Sequence, residues 1–245
     1  MKRILLLCLM IGLSNLAAHA QFDLKKEGTK LLKKTTGVSG LTDEEVGGAL
    51  KEALNAGVQK GVTTLSATDG YLKSALYKIL IPEDVRTVTS KLKQVPGFGN
   101  VEEQLIEKMN RGAEKAATKA APIFANAITS LTFKDAMNIL MGEKNAATQY
   151  LNTTTGQPLY DEFNPVIKAS LEEVGALKYW AECVNAYNKL PFVKKANPDL
   201  PDYVTKEALK GLFGMVAEKE LEIRDNPALR TTDLLKKVFA KQDKK

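Results

Sequence analysis

From Thr42 onward, apolar side chains recur at steps of three and four. Val46, Leu50, Leu54, Val58, Val62 and Leu65 form one such stripe, which is the period of an α-helix and not of a strand. Thr42 and Glu45 stand ahead of it at capping-box spacing, and Asp69-Gly70 closes it. Ala49, Ala53, Gly57 and Gly61 recur every four residues beside the stripe. Small residues at this spacing predict close approach of a second helix. Such packing offsets the roughly 1 kcal/mol that each interior glycine costs relative to alanine.

The same periodicity predicts helices over 71–78, 82–95, 101–121, 123–131 and 132–142, the last ending on Gly142 as a left-handed cap. A short helix over 145–151 follows, then a loop over 153–158. A helix over 159–174 runs around Pro165 and is closed by Gly175. Helices over 176–189, 202–224 and 233–241 complete the chain, with Asp202 and Thr232 as N-caps. Ile79-Leu80-Ile81 is a short β-like run stopped by Pro82, and Pro191, Pro198 and Pro201 mark an irregular connection. No alternating run is long enough for a sheet, and no fixed period repeats. The expected fold is all-α: a single irregular multi-helix domain over 41–245 with no substantial sheet.

The first forty residues read differently. Lys2-Arg3, the apolar run Ile4–Leu13 and Ala18-His19-Ala20 are the three parts of a secretory signal peptide, with cleavage after Ala20. The apolar run is too short to span a bilayer of about 30 Å. Residues 21–40 form a basic, weakly amphipathic arm followed by a Thr/Gly/Ser linker, Thr35–Gly40. The expected location is the periplasm or cell envelope of a bacterium.

Composition then removes whole classes of chemistry. The chain has 245 residues, 44% apolar and 26% charged, with a net charge of +6, which suits a globular protein. Its single histidine, His19, and one of its two cysteines, Cys8, lie in the signal peptide. The processed chain therefore has no histidine general base, no Ser-His-Asp or Cys-His nucleophile and no histidine metal ligand. Cys183 alone builds neither a disulfide nor a thiolate cluster. Carboxylate, lysine or tyrosine chemistry and oxygen-ligand metals remain open.

Several stretches occur in an order that resembles a known family. They are Lys108-Met109-Asn110-Arg111-Gly112-Ala113-Glu114, then Pro122-Ile123-Phe124 leading to Thr132-Phe133-Lys134-Asp135-Ala136, then Ala146–Tyr150 with Leu159-Tyr160. Val174-Gly175-Ala176, Tyr187-Asn188, Asn197–Leu200, Tyr203-Val204-Thr205 and Arg230–Leu235 follow. Over about residues 41–241 the chain resembles a family of exported bacterial proteins catalogued as domain of unknown function 4197. The resemblance implies an exported, mostly helical single domain and brings no activity, substrate or catalytic residue with it.

Among individual residues, Arg111 beside Asn110 offers a planar fork for an anionic ligand, or a helix pair with Glu107 or Glu114. Thr148, Gln149, Tyr150 and Tyr160 offer hydroxyl, amide and aromatic groups suited to a sugar or peptide, or to capping and a buried ring. Asp199 and Asp202 could give oxygen ligands to Ca²⁺, but the spacing is not an EF-hand and no metal site is expected. Adjacent Asp161 and Glu162 do not face each other and cannot act as a dyad. Cys183 reads as a structural thiol.

Lys25, Lys26, Lys30, Lys33 and Lys34 could draw the arm to an anionic membrane surface, a cell-wall polymer or an envelope protein, or form a solvated spacer. Nucleic acid is not an expected partner, and no cofactor is expected. The sequence therefore points to a binding or structural role. A histidine-free hydrolase or lyase using carboxylate, Tyr or Lys groups is the alternative.

Overall fold

The computed structural model describes residues 42–83, 86, 89, 99–173, 175–189, 191–192, 195–230 and 232–240, apart from the side chains of residues 101, 179, 182, 183 and 186. The expected signal peptide and basic arm, most of the expected 82–95 helix and the Cys183 side chain lie outside them. Within the described residues there are eight α-helices and no strand. They are α1 (Asp43–Ser66), α2 (Val101–Ala117), α3 (Ala120–Thr129), α4 (Phe133–Met141), α5 (Ala146–Glu172), α6 (Ala176–Asn188), α7 (Leu200–Asp225) and α8 (Asp233–Phe239). The domain is all-α, as the periodicity predicts.

α1 begins with the expected capping box. Thr42 Oγ1 accepts the Glu45 N–H, and the Glu45 carboxylate accepts the Thr42 N–H at 2.7 Å. Its small-residue stripe seats α7. A β-carbon on Gly57 would lie 3.5 Å from Ile223 Cδ1, and one on Gly61 would lie 3.1 Å from Met215 Cγ. α7 packs against α1, α2, α5 and α6. Its stripe Val204, Ala208, Leu212, Val216 is buried along the length.

Five expectations are corrected. Residues 153–158 are not a loop: α5 runs unbroken from Ala146 to Glu172 through Pro158 and Pro165. Thr153, Thr154 and Thr155 turn their hydroxyls back onto the carbonyls of Gln149, Tyr150 and Leu151. The face Leu151, Thr155, Leu159, Phe163, Ile167, Leu171 is buried from end to end. Packing of that face outweighs the roughly 3 kcal/mol of an interior proline.

The expected 101–121 helix is two helices. The helix is interrupted at Thr118-Lys119, so that Pro122 falls in the first turn of α3, where its missing N–H costs nothing. Gly142 is no left-handed cap. Its φ is −80°, and its backbone is crowded: a β-carbon there would lie 2.6 Å from the Asn138 carbonyl and 2.9 Å from Ala146 Cβ. Gly175 does take φ +66° after α5.

Residues 71–78 form turns and no helix. Tertiary bonds take the backbone instead, as described below. At the far end, Asp199 and not Asp202 caps α7, accepting the Asp202 N–H at 3.0 Å.

Candidate functional site

The polar groups that the sequence singles out fall into three separate clusters, and each is built into the fold. The first lies on α2. Asn110 is fully buried, and its side-chain amide behaves as a one-residue strand. Its Oδ1 accepts the Ile79 N–H at 2.8 Å, and its Nδ2 donates to the Ile79 carbonyl at 2.8 Å and to the Ile106 carbonyl at 2.7 Å. The extended run Ile79-Leu80-Ile81 thus pairs with a side chain, and Leu80 presents its carbonyl to the Tyr203 hydroxyl at 2.8 Å.

One turn on, the buried Glu114 carboxylate accepts the N–H groups of Tyr71 and Leu72 on one oxygen and Arg111 at 2.7 Å on the other. Arg111 also reaches Asp69 at 2.7 Å. Glu114 and then Asp69 raise its pKa further above the usual range, while Lys73 and then Arg111 hold Asp69 below the usual carboxylate value. Asp69 sits at φ +70°, where it turns the chain out of α1. Arg111 therefore bridges two carboxylates of its own chain, with Glu114 the helix partner the sequence suggests.

The second cluster gathers where α4, α5 and α7 meet. The buried Glu220 accepts the Ala147 N–H at 3.0 Å, and the Thr148 N–H and hydroxyl at 2.9 and 2.8 Å. It caps the start of α5, where the helix dipole favours a negative charge. Arg224, one turn further on α7, binds Glu220 at 2.8 Å and the Ile139 carbonyl at the end of α4 at 2.8 Å. Arg230 is also fully buried. It donates to the carbonyls of Ile223 and Arg224 at the end of α7 and lies 5.4 Å from the Phe239 ring centre. Gln149, next to Thr148, is turned aside to Asn145, and Tyr150 is half-buried against the core.

The third cluster stands at the start of α7. Tyr160 donates to Asp202 at 2.8 Å, and this bond and then burial push the phenol up to about 12. Burial alone would raise Asp202, but hydrogen bonds from Lys206 and Tyr160 outweigh it and hold its pKa below the usual value. Asn197 and Lys206 complete its partners at 3.0 and 2.8 Å. A tyrosine with a raised pKa is a poor nucleophile and a good structural donor.

A largely apolar crevice lies between α1, α5, α7 and α8, walled by Leu50, Leu54, Val58, Val216 and Phe239, and Glu220 and Arg224 of the second cluster also line it. Its interior holds about 20 Å³, space for one water-sized group. No group of three or more His, Cys, Asp or Glu side chains suited to a metal occurs among the described residues. No described helix is long and apolar enough to cross a membrane.

Sequence reasoning missed Glu220, Arg224 and the burial of Arg230, and it saw Glu114 only as a pair for Arg111. One signal was available. Val204, Ala208, Leu212, Val216, Glu220 and Arg224 share a single four-residue spacing, so the ion pair continues an apolar stripe into the core.

No curated protein and no solved structure matches the chain. One family model does, across residues 40–240 and hence across every helix described above. The chain belongs to the family described as Protein of unknown function (DUF4197).

Proposed function

We propose that this is an exported, envelope-associated protein that works by binding a partner and not by catalysis. The observation that carries this reading is the occupancy of its buried carboxylates. Glu114 and Glu220 each have both oxygens engaged by backbone N–H groups of distant segments and by an arginine of their own helix. A general acid or base needs an oxygen free to exchange a proton with a substrate, and every oxygen of these two groups is taken by donors of their own chain.

Export is supported by the basic head, apolar run and Ala-His-Ala ending of residues 1–20. The basic arm supplies a charged contact to the envelope through Lys25, Lys26, Lys30, Lys33 and Lys34. Two measurements test the proposal. Intact mass of the protein isolated from cells is expected to begin at Gln21, and a chain retaining Met1 overturns export. Crosslinking in intact envelopes, read by mass spectrometry, is expected to give reproducible adducts to an envelope component. Turnover of ester, peptide or glycosidic substrates that is lost in Tyr160→Phe or Asp202→Asn would instead establish the hydrolase reading.

A further inference from the structure

Phe192 is the most exposed large apolar side chain among the described residues, at 107% of its reference area. Its backbone also stands at φ +63°, a conformation that bulky side chains seldom take. A folded chain has two easy ways out of this arrangement: turn the ring inward or place a glycine there. Neither is used, and strain of this kind points toward function.

The connection that carries Phe192 is clasped at its base. Asn188, the last residue of α6, donates from Nδ2 to the Ala196 carbonyl at 2.9 Å and accepts the Ala196 N–H on Oδ1 at 2.8 Å. Lys195 Nζ donates to the Asn188 carbonyl as well. Behind the clasp, the buried Trp180 donates from Nε1 to the Asn197 carbonyl at 3.2 Å, and Asn197 holds the α7 N-terminus through Asp202. The base is thus rigid while Pro191 and Phe192 project into solvent.

Charge along the sequence of this connection has one sign. No acidic residue occurs between Glu182 and Asp199, whereas Lys189, Lys194 and Lys195 fall there. Lys189 and Lys195 are exposed. An aromatic ring at a tip flanked by lysines matches the boundary of an anionic bilayer. The ring enters the acyl edge there, and the ammonium groups stay among the headgroup phosphates.

We propose that the Phe192 tip is a membrane-docking element that inserts its ring into the interface of an anionic phospholipid bilayer. The proposal deepens the envelope-binding reading and rests on it only for the bilayer being within reach. A chain still starting at Met1 would overturn export alone, and the vesicle experiment judges the tip alone.

The test uses the processed chain isolated from cells and vesicles of phosphatidylglycerol and phosphatidylethanolamine, with pure phosphatidylcholine as the neutral control. Wild type is expected to sediment with the anionic vesicles and far less with the neutral ones. Phe192→Ala should lose about tenfold in partition with an unchanged melting temperature, the loss expected for a ring that is only partly buried. Phe192→Trp should keep binding. Its added emission should shift to the blue on binding and be quenched by brominated lipid, a response that Trp180, buried in the core, does not give. Lys189→Gln should weaken binding to anionic vesicles and flatten its salt dependence.

Equal partition of wild type and Phe192→Ala overturns the proposal and leaves the basic arm as the membrane contact. An unquenched residue 192 in bound Phe192→Trp overturns it too. Crosslinking of position 192 to a protein in envelopes, with no vesicle binding, replaces the bilayer by a protein partner.

Discussion

Glu220 and Arg224, one turn apart on α7, together close the end of α4 and the beginning of α5. The carboxylate takes the Ala147 and Thr148 N–H groups, and the guanidinium takes the Ile139 carbonyl. Both side chains are buried. A buried ion pair by itself is weak support for stability, because desolvation consumes most of the Coulombic gain. This pair differs because Glu220 also satisfies two first-turn amides of α5, while Arg224 adds a second bond to the Ile139 carbonyl, which otherwise accepts only the long 3.4 Å bond from the Gly142 N–H.

Glu220→Ala is therefore expected to cost about 3–5 kcal/mol, since it strands Arg224 as well as the two α5 amides. The double replacement Glu220→Leu with Arg224→Met tests the explanation. An isolated buried pair is often replaced by apolar residues at little cost. Here the double variant should remain destabilised by about 2 kcal/mol or more, because the helix ends stay unsatisfied. Urea unfolding of the three proteins decides this, and wild-type stability in the double variant would show that capping contributes nothing.

Asn110 makes the second prediction. It satisfies both backbone groups of Ile79 and fixes the extended run across α2. Asn110→Ala should cost about 2–4 kcal/mol by leaving the Ile79 N–H and carbonyl buried without partners. Asn110→Asp keeps an acceptor for the Ile79 N–H and sets a carboxylate against the Ile79 carbonyl, so it should recover little. Hydrogen exchange at the Ile79 amide reads this directly, and unchanged protection in Asn110→Ala would refute the clasp.

Both clusters show how far the sequence was legible. Periodic stripes placed α1, α6, α7 and α8 and the all-α class, because helix burial follows local spacing. The capping box at Thr42 was visible for the same local reason. Pro158 and the three threonines before it read as a loop, since propensity is local while the buried face of α5 is a tertiary fact. Tyr71–Lys78 reads as a helix, since nothing nearby in sequence announces Glu114, about forty residues on, as the partner of the Tyr71 and Leu72 amides, or Asn110 as the partner of Ile79 just beyond. Asn110, Arg111 and Thr148 stand out in the sequence as polar candidates, but their partners Ile79, Asp69 and Glu220 are distant in sequence, so a ligand and an internal bond look alike there.

A third prediction follows from the tyrosines. Tyr160 and Tyr203 are pushed up to about 12, the first by its bond to Asp202 and then burial, the second by burial and then Glu207. Burial also drives Tyr71 and Tyr77 upward, and a hydrogen bond to Glu218 adds to the effect at Tyr77. The native state keeps these protons when the unfolded chain has begun to lose them. Above a pH of about 10, the ordinary tyrosine value, the unfolded state thus binds fewer protons and stability falls, and the fall from Tyr160 and Tyr203 levels off near 12. Below about 10 these groups leave stability flat. Tyrosinate absorbance should rise together with loss of helical circular dichroism, and a rise that precedes unfolding would contradict the burial of these rings.

The last prediction contrasts two glycines in helices. A β-carbon on Gly47 meets nothing within 4 Å, whereas one on Gly211 would stand 2.9 Å from Tyr71 Cε1 and 3.4 Å from Tyr77 Cβ. Tyr71 has no freedom to retreat: its ring is buried and its hydroxyl is bonded to the Ala208 carbonyl at 2.7 Å. Gly47→Ala should stabilise the protein by about 0.5–1 kcal/mol, through lower chain entropy in the unfolded state and better helix propensity. The same change at Gly211 gains that term and then meets overpacking of about 1–3 kcal/mol, with the Tyr71–Ala208 bond also at risk. The two substitutions should thus move the melting temperature in opposite directions. Combining Gly211→Ala with Tyr71→Phe separates the terms. Loss of the hydroxyl removes the bond but leaves the ring in place, so the crowding should persist and the double variant should be no more stable than Gly211→Ala. If Gly211→Ala instead stabilises the protein as Gly47→Ala does, α7 and the 67–82 segment are not held at the distance that Gly211 requires.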